Sequence, residues 1–256
     1  NSLLKVGTQN DAIEQFYKDF KERHGTRPTA LEAFHEGYNP RALGYSSWFG
    51  FVSRMEDFED DQQEVFSSNE EFFMALEKTK MTKSYKMLTV LAMLNEGCFP
   101  GAIKIAELTK SFIRIASRSP KYISDLSVDI ADAQKMTKLI ADNPVKAWVG
   151  ARGTDGVKLF SLENNIFKTN FNVQDKHRDV FQEFTREMVE WRLAEYLTRP
   201  IHEETKFTCK VFHSNRSPIL KLPSRENFSG LPFGPTRIFI EDEEHEADFV
   251  QIAINV

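Results

Sequence analysis

Thiols are scarce in this 256-residue chain: Cys98 and Cys209 are the only cysteines, far apart and outside any C-x-x-C pattern. That leaves no support for a disulfide framework or a Cys-based zinc site, and packing is their expected role. Long apolar runs are also missing. No segment approaches the roughly 18 to 20 apolar residues of a membrane-spanning helix, and no charged-then-apolar leader opens the sequence. A soluble, cytoplasmic protein without membrane contact is expected. The six histidines (His24, His35, His177, His202, His213, His245) form no H-E-x-x-H and no other metal-ligand spacing, and read as surface or turn residues. No G-x-S-x-G marks a serine nucleophile. The chain opens on Asn1 rather than Met, as expected of an excised piece of a longer protein or of a trimmed tag.

Glycine is absent between Gly50 and Gly97, and this decides the meaning of residues 78–94, KTKMTKSYKMLTVLAML. Lys83-Ser84 has the form of the end of a P-loop, but such a loop needs glycines so that backbone N–H groups can close around phosphate. Nucleotide binding by this stretch is not expected. The pattern instead predicts a helix capped by Thr82, with Ser84 in its first turn, Met87, Val90, Leu91 and Leu94 on one face, and Gly97 as its left-handed stop.

What the sequence does have is a separation of charge along its length. Residues 56–77 hold nine carboxylates and no Lys or Arg, whereas residues 80–121 hold eight Lys or Arg against Glu96 and Glu107. Residues 241–248 add six more carboxylates, and the formal total is −5.

Three segments follow from the periodicity. Residues 1–79 read as short helices, with capping boxes at Asp11-x-x-Glu14 and Thr29-x-x-Glu32 and stops at Gly25 and Gly37. The aromatic run Tyr45 to Phe51 should supply core, a base-stacking role for Trp48 being the alternative. Residues 80–200 hold the helix above, a connector through Phe99-Pro100-Gly101, and a second helix placing Ile105, Leu108, Phe112 and Ile115 on one face with Lys110, Arg114 and Arg118 opposite. A polar helical stretch, a hairpin around Asn164-Asn165 and a long helix from about Gln174 to Leu197, ended by Pro200, complete it. In residues 201–256 the period changes to 2, as in Phe207–Val211 and Arg237–Ile240, with an acidic exposed turn at 241–246 before a last strand through Phe249, Ile252 and Ile254. The expected class is α+β: a mainly helical body with a winged-helix-like segment, then a small antiparallel β unit of four or five strands.

Candidate chemistry is sparse. Glu204-Thr-Lys206 has the E-x-K spacing of metal-dependent nucleases, without an identifiable upstream Asp, and the acidic runs at 56–64 and 241–248 read as solvated faces or cation sites. The basic block is the stronger feature, because Lys and Arg on one face neutralise phosphates without sequence readout. Its candidates are Lys83, Lys86, Lys104, Lys110, Arg114, Arg118 and Lys121, with Tyr85 as a hydrogen-bond or stacking partner. The alternative is a solubilising face that pairs with residues 56–77.

Thr26-Arg27-Pro28-Thr29, Ser47-Trp48-Phe49-x-Phe51, Met81-Thr82-Lys83-Ser84-Tyr85-Lys86-Met87, Lys210-Val211, Pro218-Ile219-Leu220, Leu222-Pro223 and Phe249-x-x-Ile252-Ala253-x-Asn255 together resemble the region C-terminal to the motor in bacterial DEAD/DEAH-type superfamily 2 DNA helicases. The resemblance runs through nearly the whole chain. It implies a non-motor appendage that contacts DNA (or RNA) or the helicase motor domains of the same parent protein. ATP and Mg²⁺ then belong to those motor domains, and no cofactor is expected in this chain. A protein-interaction scaffold docking a motor or nuclease subunit, and a divergent metal-dependent nuclease, are the other two readings.

Overall fold

The computed structural model describes residues 9–42, 47–151, 154, 156–198 and the strands 210–214, 217–221, 236–240 and 243–247. Capping chemistry accounts for the helix limits of the N-terminal part. Helix α1 (Gln9–His24) starts ahead of Asp11, which is therefore a first-turn carboxylate favoured by the helix dipole and not an N-cap. Thr29 does cap α2 (Ala30–His35): its hydroxyl accepts the Glu32 N–H at 3.2 Å, and the Glu32 carboxylate accepts the Thr29 N–H at 2.7 Å. Ser47 caps α3 (Trp48–Arg54), and α4 (Asp60–Lys78) follows. Trp48, Phe49 and Phe51 are all buried, so the aromatic run fills the core and Trp48 presents no face to a base. Tyr45 lies outside the described residues.

Helix α5 spans Tyr85–Asn95, later than a Thr82 cap would place it; Ser84 is the N-cap, its own polar groups being drawn to a neighbouring carboxylate. Gly97 takes the left-handed stop at φ +66°. Gly101 is held more tightly still: its φ is +154°, and a Cβ there would meet Cys98 O at 2.9 Å. Strand β1 (Ala102–Lys104) then runs directly into α6 (Ile105–Ala116). Helices α7 (Pro120–Asp125), α8 (Ala133–Ile140) and α9 (Lys146–Val149) follow, α8 and α9 being joined by a π-helical turn that contains Pro144.

Strands β2 (Phe160–Glu163) and β3 (Ile166–Thr169) form the expected hairpin, with Asn164 and Asn165 at φ +51° and +61°, the left-handed pair that a two-residue turn requires. Strand β3 pairs antiparallel with both β1 and β2, giving the order β1-β3-β2 with Ile103 opposite Phe167. The turn also reaches the helix: Asn165 O accepts the Ile105 N–H at 2.9 Å, satisfying an orphan donor of the first turn of α6.

Helix α10 (Arg178–Thr198), entered through a 3-10 turn at Asp175–His177, packs against α2, α4 and α5. Its apolar face meets a dense set of rings, with Phe184 stacked on Phe49 at 4.5 Å and Phe181 on Phe99 at 5.9 Å. Arg192 is 0% exposed. Its guanidinium donates to the carbonyls of Leu76 at 3.0 Å and Thr79 at 2.8 Å, and to that of Glu77, so a cation from α10 closes the C-terminal end of α4.

The chain divides into two compact units, Asn1–Arg199 and Pro200–Val256. Within the second, β4 (Lys210–Ser214) pairs with β5 (Ser217–Lys221), and β6 (Thr236–Ile240) pairs with β7 (Glu243–Ala247), both antiparallel. Residues 243–246 of the acidic run are thus strand rather than turn, because pairing with Thr236–Ile240 overrides the weak strand preference of Glu. Phe207–Cys209, Glu204-Thr-Lys206, Pro200 and the strand expected through Phe249, Ile252 and Ile254 lie outside the described residues. The α+β class holds: helices dominate, with one small three-stranded antiparallel sheet in the first unit. Among the described residues no helix is long and apolar enough to cross a membrane.

Candidate nucleic-acid interface

The eight residues of the basic block fall into two groups with different surroundings. Lys83, Ser84 and Tyr85 converge on Asp125, the last residue of α7. Asp125 Oδ2 accepts from the Ser84 backbone N–H at 3.0 Å and hydroxyl at 2.6 Å, while Oδ1 accepts from the Tyr196 hydroxyl at 2.5 Å. Its backbone carbonyl accepts from Lys83 Nζ at 2.7 Å and from the Tyr85 hydroxyl. Tyr85 is buried, and desolvation together with the nearby Asp125 carboxylate pushes its phenol up to about 12. The stretch that looked like the end of a phosphate loop is therefore a junction between α5, α7 and α10.

Lys86 and Lys121 also have defined partners. Lys86 Nζ bonds Thr79 Oγ1 at 2.9 Å and lies 5.3 Å from the ring centre of Trp148, whose indole N–H donates to Lys86 O at 3.2 Å. Lys121 Nζ donates to the carbonyls of Tyr196 and Leu197, both at 2.9 Å, and so caps the last turn of α10. Both lysines are half-buried.

Lys104, Lys110, Arg114 and Arg118 are the exposed members. Lys104 ends β1 and is the N-cap residue of α6, Lys110 and Arg114 lie on the outer side of α6, and Arg118 follows its C-cap. The opposite side is apolar, with Ile105, Leu108, Phe112 and Ile115 all buried. Arg114 pairs with Glu96 and also contacts Ser111 Oγ at 3.2 Å; hydrogen bonds from Ser111 and Arg114 hold the Glu96 carboxyl below its ordinary value. Among the described residues, Lys104, Lys110 and Arg118 form no salt bridge. Among the described residues no carboxylate of 56–77 pairs with the basic block; Asp57 bonds Tyr17 and Lys21, Glu64 bonds Lys176, and Glu77 lies in the core. Glu107, in the first turn of α6, is the one acidic side chain of that helix.

Protein-family models, curated proteins and solved structures were compared with the chain, and none matches.

Two carboxylates that no motif marks organise the fold, Asp125 at the basic block and Glu187 in the N-terminal core. Besides Asp125, Glu187 on α10 accepts both terminal nitrogens of Arg27 at 3.0 and 2.8 Å, the Ala30 N–H at 2.8 Å and the Trp48 indole N–H at 2.7 Å. The signal for Glu187 was available in the spacing, since it sits three residues after Phe184 and four before Trp191 on an otherwise apolar side. Asp125 had no such signal, being in a polar stretch.

Proposed function

We propose that residues 80–200 bind the nucleic-acid backbone through the outer side of α6, as part of a non-motor accessory region of a cytoplasmic superfamily 2 DNA helicase, with no catalysis of their own. The observation that carries this reading is that Lys104, Lys110 and Arg118, on and beside α6, are exposed and form no salt bridge among the described residues, with the exposed Arg114 on the same helix. Such cations neutralise phosphates and release counterions, which requires neither a deep groove nor base contacts. A winged-helix-type arrangement is the finer form of the proposal. It is supported by the succession α5, β1, α6, α7, α8, α9, β2, β3 and the antiparallel order β1-β3-β2, an argument from architecture alone. The local phrases that resemble the helicase appendage serve architecture: Arg27 and Trp48 meet at Glu187, and Lys83, Ser84 and Tyr85 meet at Asp125.

The test is fluorescence anisotropy of a labelled duplex and a labelled single strand, titrated with the wild type and with K104E/K110E/R118E at several salt concentrations. Arg114 is left intact so that its Glu96 pair is undisturbed. Loss of about three phosphate contacts should weaken binding at low salt and flatten the slope of log K against log salt by roughly 2 to 3. Equal affinity and slope for the two proteins would remove α6 from the interface. Loss of affinity in K135E/K138E instead, which changes two exposed lysines of α8, would move the interface to that helix. Failure of the wild type to bind at any salt would favour the scaffold reading.

A further inference from the structure

His177 is 5% exposed, at the end of the 3-10 turn that enters α10. Its Nε2 is buried and has no hydrogen-bond partner. A buried ring nitrogen without a partner forfeits its hydration without recompense, so the group calls for an explanation. The nearest carboxylate oxygen, Glu64 Oε2, stands 3.3 Å away but out of hydrogen-bonding geometry. Glu64 and Asp61 are three residues apart at the start of α4, which puts both carboxylates on one side of the helix and at its anion-favouring end. One ligand atom each from Asp61, Glu64 and His177 lies within 4.8 Å of the other two.

From these positions we propose that Asp61, Glu64 and His177 bind a divalent transition-metal ion of the zinc type. Bonds of about 2.0–2.2 Å in tetrahedral geometry set neighbouring ligand atoms about 3.3–3.6 Å apart, so the His177–Glu64 pair, at 3.3 Å, already has the separation of two ligands on one metal. A metal accepts the Nε2 lone pair and removes the unmet polar demand that the fold leaves there. One imidazole with two carboxylates suits zinc, cobalt or manganese; calcium and magnesium prefer all-oxygen shells. Three protein ligands leave a fourth position for water, and because Asp61 and Glu64 are exposed, that position faces solvent. Lys176 Nζ, at 3.3 and 3.4 Å from the Glu64 oxygens, is the cation that the metal displaces; its side chain is 58% exposed and free to swing aside. Bound metal would tie the start of α4 to the turn that leads into α10.

The whole chain, stripped with a chelator and freed of it, is titrated calorimetrically with Zn²⁺, Mg²⁺ and Ca²⁺, and with Co²⁺ while visible absorption is followed. One equivalent of Zn²⁺ and of Co²⁺ is expected, with Mg²⁺ and Ca²⁺ much weaker. Loss of an outer-shell partner already costs about 10- to 100-fold in metal affinity, so D61N/E64Q should lose at least about tenfold. Both positions are exposed, and unchanged circular dichroism will show that folding survives. H177Q, which removes the imidazole, should lose as much and alter the cobalt spectrum. Stoichiometric binding that is undiminished in both variants, preference for Mg²⁺ or Ca²⁺, or no binding by the wild type would each overturn the proposal.

Discussion

Several charged side chains of this protein sit where a surface reading would not put them, and their cost shows up as pH dependence. Glu77 is 2% exposed, accepts the Trp48 N–H at 3.0 Å, and burial pushes its carboxyl from 4.5 up to about 7, only partly opposed by that hydrogen bond and by Arg192. A raised folded-state value means that the native protein holds the proton more tightly than the unfolded chain does. Glu77 therefore favours folding fully below about pH 4.5, and that contribution is lost as pH rises through about 7. By about pH 8 the loss is on the order of 3 kcal/mol. E77Q keeps the acceptor for Trp48 and leaves Glu195 beside Arg192, so urea denaturation should find it more stable than the wild type at pH 8 and nearly equal at pH 4.5. A constant difference across that window would mean that Glu77 is not the titrating group. Gly101 gives a second residue-scale expectation: G101A forces a Cβ against Cys98 O in a region of φ that only glycine visits freely, and should cost about 1–3 kcal/mol in the same assay. A neutral result would mean that the connector relaxes at no cost.

At the scale of elements, Asp125 is the contact on which α5, α7 and α10 depend together. D125A removes the acceptor of Ser84 and Tyr196 while leaving their hydroxyls in place, and should destabilise by about 2–4 kcal/mol, several times the cost of an exposed substitution. Thermal melts of D125A beside the exposed D129A make the comparison; equal melting temperatures would demote the junction to ornament. This junction also marks the limit of what periodicity discloses. The apolar side of α6, the Asn164-Asn165 turn, the Thr29 box and the left-handed stops at Gly25, Gly37 and Gly97 were all legible, because each is decided within a few residues. The start of α5 was not, because Ser84 answers to a carboxylate 41 positions away. Lys83 and Lys121 looked like surface cations for the same reason: their carbonyl partners, on Asp125 and at the end of α10, are distant in sequence. The acidic strand β7 escaped because pairing, rather than composition, made it a strand.

For the whole molecule, Asn1–Arg199 is a compact unit with its own core running from Ile13 to Tyr196. A chain ending at Arg199 should keep its helical circular dichroism and unfold in one cooperative step; a broad, non-cooperative melt would show that its stability depends on residues further along. The full chain should turn over no ATP, since no glycine loop ending in Gly-Lys-Ser or Gly-Lys-Thr is present to cradle the phosphates. Turnover above a buffer blank that survives repurification would contradict this. The bond from the Ile105 N–H to Asn165 O has one more implication. Because the hairpin tip is fastened to the first turn of α6, and β1 runs into that helix without a loop, tip and helix share one anchor, so that a displacement of either would have to break this bond or carry the other with it.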